Sequence, residues 1–383
     1  MHHLFAIPDS AMVPPFCPRP GCVHHLAPTE QSWYERDGHH ETSAFGRVAR
    51  FRCKTCGRNF STQTFRVDYY AKKVVDYREF EGLLASSMSG RALGRHFGLS
   101  PDSVQNRVDR LSRQALAIHS HLRSLADPRE PVAIDGFQSF DRSRFFPNNI
   151  TISVAGDSRF LLEATHASLR RSGSMTARQK ARREVLERTV TYEPRAVERS
   201  FAELLDQIAR DRPPRGGQPL VLVTDLKKEY TSALETHALG SFGKGMVARV
   251  LVSSRKPRTG WNPLFPVNYW DRELRKDQSA YRRKTSCYAR NASNGMARFW
   301  CYARYHNYRK RYLIGSHIDD RRKHADVAGI PKEARFGLEG LFYQARAFFS
   351  RSSLSTAGMK AWLKLYPTPG TDWIGRVPAY ALD

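Results

Sequence analysis

Apolar residues follow different periods along the chain, and the changes of period divide it into four parts. Residues 1 to about 66 are rich in Cys, His, Pro and Gly and contain only short strand-like pieces. Residues 74–122 carry apolar side chains at helical spacing, with turn residues in the middle. From Val132 to about Ser316, strand-like apolar runs alternate with helical segments, which is typical of an α/β domain. The remainder, from Ile318, has one amphipathic stretch near residues 337–349.

The third part contains five candidate strands that predict a sheet. They are Val132–Asp135, Ile150–Val154, Phe160–Glu163, Pro219–Asp225 and Met246–Val252. Two basic helical segments, 176–190 and 195–211, separate the third strand from the fourth, and a long helical stretch begins near Asn268. We therefore expect a multidomain α/β protein in which helices flank the sheet.

Composition adds a strongly positive charge to this picture. The chain has 383 residues, of which 40% are hydrophobic, and a formal net charge of +25. Since DNA carries about one negative charge per 1.7 Å of duplex, double-stranded DNA is the expected partner. No apolar run reaches the ~18 residues of a membrane span, and the first residues lack the features of a secretion signal. We expect a cytoplasmic, nucleoid-associated protein that has no membrane contact.

Two close cysteine pairs near the N-terminus predict a structural zinc site. Cys17 and Cys22 form one pair, Cys53 and Cys56 form the other, and Gly57 follows directly. Four thiolates surround Zn²⁺ tetrahedrally, and each close pair supplies two ligands from one turn. The first pair is more widely spaced than usual, so a histidine is an alternative ligand, and four unligated core thiols are a second alternative. The candidate histidines are His24, His25, His39 and His40.

Three helices after the cysteine-rich part predict a helix-turn-helix unit. Their apolar spacing places them at about Glu79–Ser87, Gly90–Phe97 and Pro101–Leu116, with Ser100 positioned to cap the third. The polar side of the third helix would enter a major groove. The residues expected on bases are Gln105, Asn106, Arg107 and Arg110, and those expected on phosphates are Lys72, Lys73 and Arg78. A helical hairpin used only for packing is the alternative.

Two aspartates stand where apolar strands end, and they are candidate catalytic residues. Asp135 closes one candidate strand and Asp225 closes another. A carboxylate at the end of a buried strand is costly unless a cation or hydrogen-bond donors meet it. If the two strands are neighbours, Mg²⁺ or Mn²⁺ would relieve the repulsion between the carboxylates and support phosphodiester chemistry. The alternative is that each aspartate only caps a turn.

A third carboxylate is expected on the helix that begins near Asn268. Asp271 and Arg275 share a helix face with Asn268, so an amide, a carboxylate and a guanidinium would meet a phosphate together. Glu273 points to another side of the helix and is the reserve candidate. The cations that follow and are expected to bind DNA are Arg282, Arg283 and Lys284. The rings of residues 299–308 either stack on bases or pack in the core.

Taken in order, these motifs resemble those of bacterial insertion-sequence DDE transposases, particularly the insertion-sequence-1-like set. Residues 53–60, Cys-Lys-Thr-Cys-Gly-Arg-Asn-Phe, resemble the zinc-ribbon piece of that family. The family's three catalytic acids lie in segments that resemble residues 134–140, 223–225 and Asn268–Asp271 of this chain. The region after the family's third acid resembles residues 283–287 and Tyr305–Tyr308. The order of ribbon, helix-turn-helix, three acids and basic segment is more specific than any single motif.

The resemblance covers about residues 15–312, and the chain divides into four predicted units. They are a zinc ribbon at 10–68, a helix-turn-helix DNA-binding domain at 72–123, an RNase H-like (retroviral-integrase-like) catalytic domain at 130–316 and a C-terminal tail at 317–383. The resemblance implies a homo-oligomer on transposon ends that uses Mg²⁺ or Mn²⁺ at its three acids to cut and join DNA. Asp271 stands where the family usually has Glu. The alternatives are a non-catalytic DNA-binding regulator derived from a transposase and an RNase H-like nuclease without strand transfer.

Overall fold

The structure is a computed structural model that describes most of the chain. The described residues are 13–25, 28, 30–215, 217–243, 245–282, 285–313, 320–344, 346, 351, 353–371, 377–378 and 381–382. Within them, eight β-strands form a three-stranded and a five-stranded sheet, and eleven α-helices accompany the sheets. The mixed α/β class expected from the sequence is confirmed.

The cysteine-rich part folds as three antiparallel strands, β1 (Tyr34–Thr42), β2 (Gly46–Cys53) and β3 (Asn59–Ser61), in that order. Phe51 and Phe60 are directly opposite each other on β2 and β3, and Trp33 stacks on Phe60. The rings form a buried cluster with two of the cysteines, separate from the rest of the core. Because this cluster is small, the unit depends on a further constraint for its stability.

Three helices follow, α1 (Tyr77–Ala85), α2 (Gly90–Phe97) and α3 (Pro101–Arg123). Each begins with a side chain that accepts hydrogen bonds from backbone N–H groups of the first turn, and these caps are Asp76, Ser89 and Ser100. Gly94 lets α2 approach the next turn closely, since a Cβ there would lie 2.8 Å from the carbonyl oxygen of Leu99. The third helix continues past its predicted end at Leu116 and is 23 residues long.

The larger sheet contains all five predicted strands. They are β4 (Val132–Phe140), β5 (Pro147–Ala155), β6 (Leu161–Ser168), β7 (Leu220–Asp225) and β8 (Val247–Val252), and their order across the sheet is β6-β5-β4-β7-β8. β4, β5 and β6 form an antiparallel meander, whereas β7 pairs in parallel with β4 and β8 pairs in parallel with β7. The carboxyl ends of β7 and β8 therefore lie at the same edge of the sheet.

Helices cover both faces of this sheet. The helices after α3 are α4 (Ala177–Glu187), α5 (Ala196–Asp211), α6 (Lys228–Thr236), α7 (Phe265–Asp277), α8 (Ala292–Tyr308), α9 (His324–Val327), α10 (Lys332–Phe342) and α11 (Thr356–Trp362), and those in contact with the sheet include α5, α7, α8 and α11. Along β4, Ile134 joins the core that includes α5, while Ala133 and Phe137 join the core that includes α7 and α8. The basic helix α4 buries none of its side chains. No helix in the described ranges is long and apolar enough to cross a membrane.

The helical unit and the larger sheet share one core, which extends across the predicted boundary at residues 123–130. Ile118 of α3 lies in the same buried cluster as Val132 of the sheet. At the end of α3, the buried Arg123 guanidinium contacts the carboxylates of Glu163 at 2.6 Å and Asp211 at 2.7 Å. Because α3 is longer than its sequence pattern predicts, it reaches the sheet, and the proline-containing segment after it is a turn within one body.

The predicted C-terminal tail also packs into this body where it is described. Trp362 of α11 is buried, and its carbonyl oxygen accepts a hydrogen bond from Nε of Arg113 on α3 at 3.2 Å. The carbonyl oxygen of Phe342 accepts from Nε2 of Gln114, also on α3, at 3.1 Å. The helices of this part are short, so their apolar periodicity is weak in the sequence although their contacts are buried.

Candidate functional site

The four cysteines predicted to bind zinc converge beside the small sheet. Their Sγ atoms all lie within 4.8 Å of one another. The Sγ atoms of Cys17 and Cys56 are 3.6 Å apart, and those of Cys22 and Cys53 are 3.9 Å apart. Tetrahedral zinc with bonds of about 2.3 Å requires sulfur atoms about 3.8 Å apart. The cluster therefore can hold a structural metal such as zinc, and the unit is compatible with a zinc ribbon.

Each cysteine pair sits on a tight turn that includes a glycine in the left-handed region. Gly21 precedes Cys22 with φ 78°, and Gly57 follows Cys56 with φ 67°. In the second turn the N–H of Gly57 donates to the carbonyl oxygen of Cys53 at 2.9 Å. These turns bring the Sγ atoms of Cys17 and Cys22, although these residues are more widely spaced in sequence, next to those of Cys53 and Cys56.

The nearby histidines lie outside the cysteine cluster and bond to other groups. The His24 ring bonds the Thr55 hydroxyl at 2.9 Å, and the His25 ring donates to the carbonyl oxygen of Cys17 at 2.7 Å. His39 lies on β1, where its ring is 3.3 Å from the guanidinium of Arg47. Four cysteines complete the set, so no histidine is required as a ligand.

Asp135 and Asp225 lie side by side on neighbouring parallel strands. Ile134 of β4 is opposite Thr224 of β7, so the next residue on each strand is one of the two aspartates. The alternation of β4 places Ala133 and Asp135 on the face that α7 covers. Both side chains are partly exposed, by 22% and 14% respectively, which leaves them open to a ligand.

Helix α7 brings a third carboxylate, that of Asp271, to the same face of the sheet. The neighbouring Trp270 is buried and its indole N–H donates to the carbonyl oxygen of Arg159 at 2.9 Å, which fixes the rotation of the helix. Burial raises the pKa of Asp271 to about 7, and the charge of Asp135 adds to the rise. The cations that oppose this rise are Arg275, Arg258 and Lys227. We call Asp135, Asp225 and Asp271 the aspartate cluster.

Lys227 belongs to this site, although the sequence interpretation did not include it. Its Nζ lies 3.0 Å from Oδ1 of Asp135 and 3.5 Å from Oδ2 of Asp225. It also donates to the Tyr230 hydroxyl at 3.2 Å. Burial raises the pKa of Asp225, the Lys227 ammonium opposes that rise, and Asp135 adds to it. The only signal in the sequence is a lysine two residues after an acid at a strand end.

Glu273, the reserve candidate, does not join the aspartate cluster. It is buried on another side of α7, where its carboxylate pairs with the ammonium groups of Lys310 and Lys276. Lys310 also pairs with Asp277 at 2.6 Å. These ion pairs hold α7 against the segment after α8, so Glu273 stabilises the packing of α7.

The third helix of the helical unit does not present its arginines to solvent, which corrects their predicted role. Arg107 and Arg110 are only 5% and 4% exposed. Arg107 donates to the carbonyl oxygen of Lys73 at 3.0 Å, and Arg110 donates to that of Val67 at 2.9 Å. Both guanidinium groups thus hold the segment between the small sheet and α1. They are unavailable to bases because α3 is a central helix covered by α8, α10 and α11.

Other polar groups of the helical unit remain accessible. Asn106 is exposed, although its side-chain oxygen accepts from Arg110 at 2.7 Å, and Gln105 donates to Asp109 at 2.8 Å. The exposed cations of the unit are Lys72, Lys73, Arg78, Arg91 and Arg95. The phosphate contacts expected of the first three therefore remain possible in this geometry.

The predicted DNA contacts on and after α7 fall into three groups. Asn268 and Arg275 are half-buried on the face of α7 that carries Asp271, and the Arg275 guanidinium lies 4.5 Å from the centre of the Phe137 ring. Arg282 is exposed. Arg283 and Lys284 lie outside the described residues.

The aromatic and basic segment of α8 is largely core. Trp300 and Tyr302 are buried, and the Arg304 guanidinium pairs with the buried Glu81 at 2.7 Å. The base-stacking interpretation of these rings is therefore wrong. Of the two remaining cysteines, Cys301 is buried and Cys287 is exposed.

The aspartates are less tightly gathered than the cysteines. Among the residues that the structure describes, the cysteines form the only group of three or more His, Cys, Asp or Glu whose ligand atoms lie within 4.8 Å of one another. The Lys227 ammonium stands between Asp135 and Asp225 instead. Comparison of the sequence with protein-family models and with curated proteins gives no match.

Proposed function

We propose that the chain is a DDE transposase, which cuts DNA at the ends of a mobile element and joins those ends to a target. The observation that carries the proposal is the aspartate cluster, in which β4, β7 and α7 each contribute one carboxylate to one face of a sheet. An antiparallel meander extended by two parallel strands is also the arrangement expected of an RNase H-like domain. These features support the family resemblance of the motifs at Asp135, Asp225 and Asp271.

The donor set of the aspartate cluster suits a hard divalent cation. Mg²⁺ is usually held by one or two carboxylates together with phosphate oxygens of the substrate. The Lys227 ammonium marks a place between Asp135 and Asp225 where positive charge is stabilised. Asp135, Asp225 and Asp271 would hold Mg²⁺ or Mn²⁺, which would supply the charge that activates a nucleophile and stabilises a leaving oxygen.

The cations around the cluster would bind and orient the phosphodiester. Arg275 lies one helical turn after Asp271, and Arg258 contributes positive charge to the same place. Charge-assisted hydrogen bonds from arginine to phosphate fix orientation as well as position. If the aspartates held a metal, Lys227 would no longer be needed to neutralise them, and its ammonium would be available to a phosphate oxygen.

The rest of the chain would bring double-stranded DNA to this site. The cysteine cluster would hold structural Zn²⁺ in a zinc ribbon, and the exposed cations of the helical unit would contact phosphates near a transposon end. Cutting and joining both element ends requires more than one active site, so a homo-oligomer on DNA is part of the proposal.

The test is cleavage of a supercoiled plasmid that carries candidate element ends, in buffer with Mg²⁺ or Mn²⁺. We expect nicked, linear and joined products from the wild type and none from Asp135→Asn, with duplex affinity unchanged. Asp206→Asn is the matched control, because that aspartate is 64% exposed on α5, outside the aspartate cluster. It should retain all the products.

The outcomes of this test separate the alternatives. Cut DNA that never yields joined products would indicate an RNase H-like nuclease. Binding without cutting in either metal would indicate a non-catalytic regulator and refute the proposal. Loss of both binding and cutting in Asp135→Asn, with normal folding of Asp206→Asn, would mean that Asp135 is structural.

A further inference from the structure

One tryptophan stands apart from the others in its environment. Trp33, Trp270, Trp300 and Trp362 are at most 3% exposed, whereas Trp261 is 96% exposed. Tryptophan has the largest apolar surface of any side chain, so full exposure on a folded chain is unfavourable unless a partner covers it. Trp261 therefore requires an explanation other than core packing.

Trp261 lies in the loop between β8 and α7, which we call the Trp261 loop (residues 253–264). The loop begins after Val252, and Val252 is the residue of β8 paired with Asp225. It ends where α7 begins, two turns before Asp271. One end of the loop thus follows the strand beside Asp225, and the other end leads into the helix that carries Asp271.

The loop holds Trp261 in place through its neighbour, Asn262. The Asn262 side chain is buried, donates to the carbonyl oxygen of Pro257 at 2.8 Å and accepts from the N–H of Leu264 at 2.9 Å. Its backbone N–H donates to the carbonyl oxygen of Thr259 at 3.1 Å. These bonds close a turn with Trp261 at its outer side, so the indole is presented by a fixed backbone.

The charged side chains of the loop are all positive. Arg255, Lys256 and Arg258 are all exposed within six residues of Trp261. An exposed ring among cations suits a polyanion with flat bases better than it suits an apolar protein surface.

We infer that the Trp261 loop binds an unpaired nucleotide beside the phosphodiester at the aspartate cluster, with the indole stacked on the base and the three cations on flanking phosphates. The inference rests on the proposed function and specifies its substrate as DNA whose strands are locally separated. Bases within an intact duplex are already stacked on their neighbours, so the indole has no free base face there.

The test compares two DNA probes of the same sequence, a fully paired duplex and a duplex with a short unpaired fork, in buffer without Mg²⁺ or Mn²⁺ so that no cleavage occurs. We expect Trp261→Ala to weaken fork binding by about tenfold, equivalent to about 1.4 kcal/mol. Its affinity for the paired duplex should stay within about twofold of wild type, since phosphate contacts dominate there. Trp261→Phe should retain most of the fork affinity, and Phe336→Ala, which removes an exposed ring of α10, should retain all of it.

Fluorescence gives an independent measurement on the same probes. Stacking on a base should quench the emission of the wild type on the fork, and Trp261→Phe should remove most of the quench.

Several results would overturn the inference. Equal loss of affinity for both probes, or no loss for either, would exclude stacking on an unpaired base. A change of sedimentation coefficient in Trp261→Ala without DNA would assign the ring to contact between copies of the chain. None of these outcomes contradicts the proposal that the aspartate cluster cleaves DNA. A wild type that binds neither probe would refute that proposed function itself.

Discussion

Replacement of Lys227 by Met tests whether the aspartate cluster depends on a cation. The Lys227 ammonium is 3.0 Å from one aspartate oxygen and 3.5 Å from another, and its side chain is 33% exposed. Exposed ion pairs contribute about 0–1 kcal/mol, whereas breaking a buried pair costs about 3–5 kcal/mol. A half-buried ammonium with two partners should therefore stabilise the fold by about 2 kcal/mol. Without it, Asp135 and Asp225 repel each other.

The assay is thermal unfolding of Lys227→Met in buffer without Mg²⁺ and in excess Mg²⁺. Without Mg²⁺ we expect a Tm lower than that of the wild type by about 2–4 °C, given the size of the chain. A ligand present at about 100 times its Kd stabilises a protein by about 2.7 kcal/mol. Mg²⁺ should therefore raise the Tm of the variant more than that of the wild type, in which the ammonium competes for the same carboxylates.

Lys228→Met is the matched control, because it removes the same charge from the next residue, which is exposed. It should melt like the wild type in both buffers. If Lys227→Met and Lys228→Met melt alike without Mg²⁺, the ammonium does not neutralise the aspartates. If Mg²⁺ changes the Tm of none of the three proteins, the cluster is not a metal site and the reasoning fails.

Three more predictions concern the cysteine cluster, the third acid and a buried histidine. Cys53→Ser should lower the bound zinc from about one ion per chain to almost none and expose the small sheet to protease, while the shared core stays intact; metal analysis and limited proteolysis would check both, and full zinc content would contradict the assignment. Asp271→Asn should slow plasmid cleavage by at least about 100-fold, whereas Glu273→Gln should lower the Tm without removing catalysis; the reverse pattern would exchange their roles. Burial lowers the pKa of His119 from 6.5 to about 3, so the unfolded chain takes up a proton first as pH falls. Above pH 6.5 His119 is neutral in both states and does not lower the free energy of unfolding. At pH 5 protonation of His119 in the unfolded chain lowers the free energy of unfolding by about 2 kcal/mol. Chemical unfolding at pH 8 and pH 5 should show a smaller loss for His119→Gln than for the wild type, and equal losses would refute the assignment.

Strand positions and two of the three acids follow directly from the sequence. The runs that end at Asp135 and Asp225 are apolar on both sides, as strands buried between helix layers are, and the structure places them next to each other. The close cysteine pairs also indicate their common site, because thiols on two tight turns have few other arrangements. Local patterns were sufficient in these cases because each feature depends on residues that are near in sequence.

Features that depend on distant packing were not predictable in the same way. Arg107 and Arg110 occupy polar positions of an amphipathic pattern, but α3 is covered on several sides and both guanidinium groups bond backbone carbonyls. Lys227 belongs to no motif in the sequence. Its contacts with Asp135 and Asp225 follow only from the pairing of β4 with β7. The choice between Asp271 and Glu273 depended on the rotation of α7, which Trp270 sets through a contact with a residue far away in sequence.

The length of α3 has a consequence for genetic studies of this protein. A helix of 23 residues extends about 35 Å. The guanidinium groups of Arg107 and Arg110 on α3 bond the segment after the cysteine-rich unit, and Ile118, further along the helix, packs with the sheet. A substitution along it would disturb the packing of the sheet that carries Asp135 and Asp225 as well as the surface that we propose contacts DNA. Mutants of α3 that lose DNA binding should therefore often lose turnover on pre-bound substrate too, and the two phenotypes should map together on this helix rather than to separate modules.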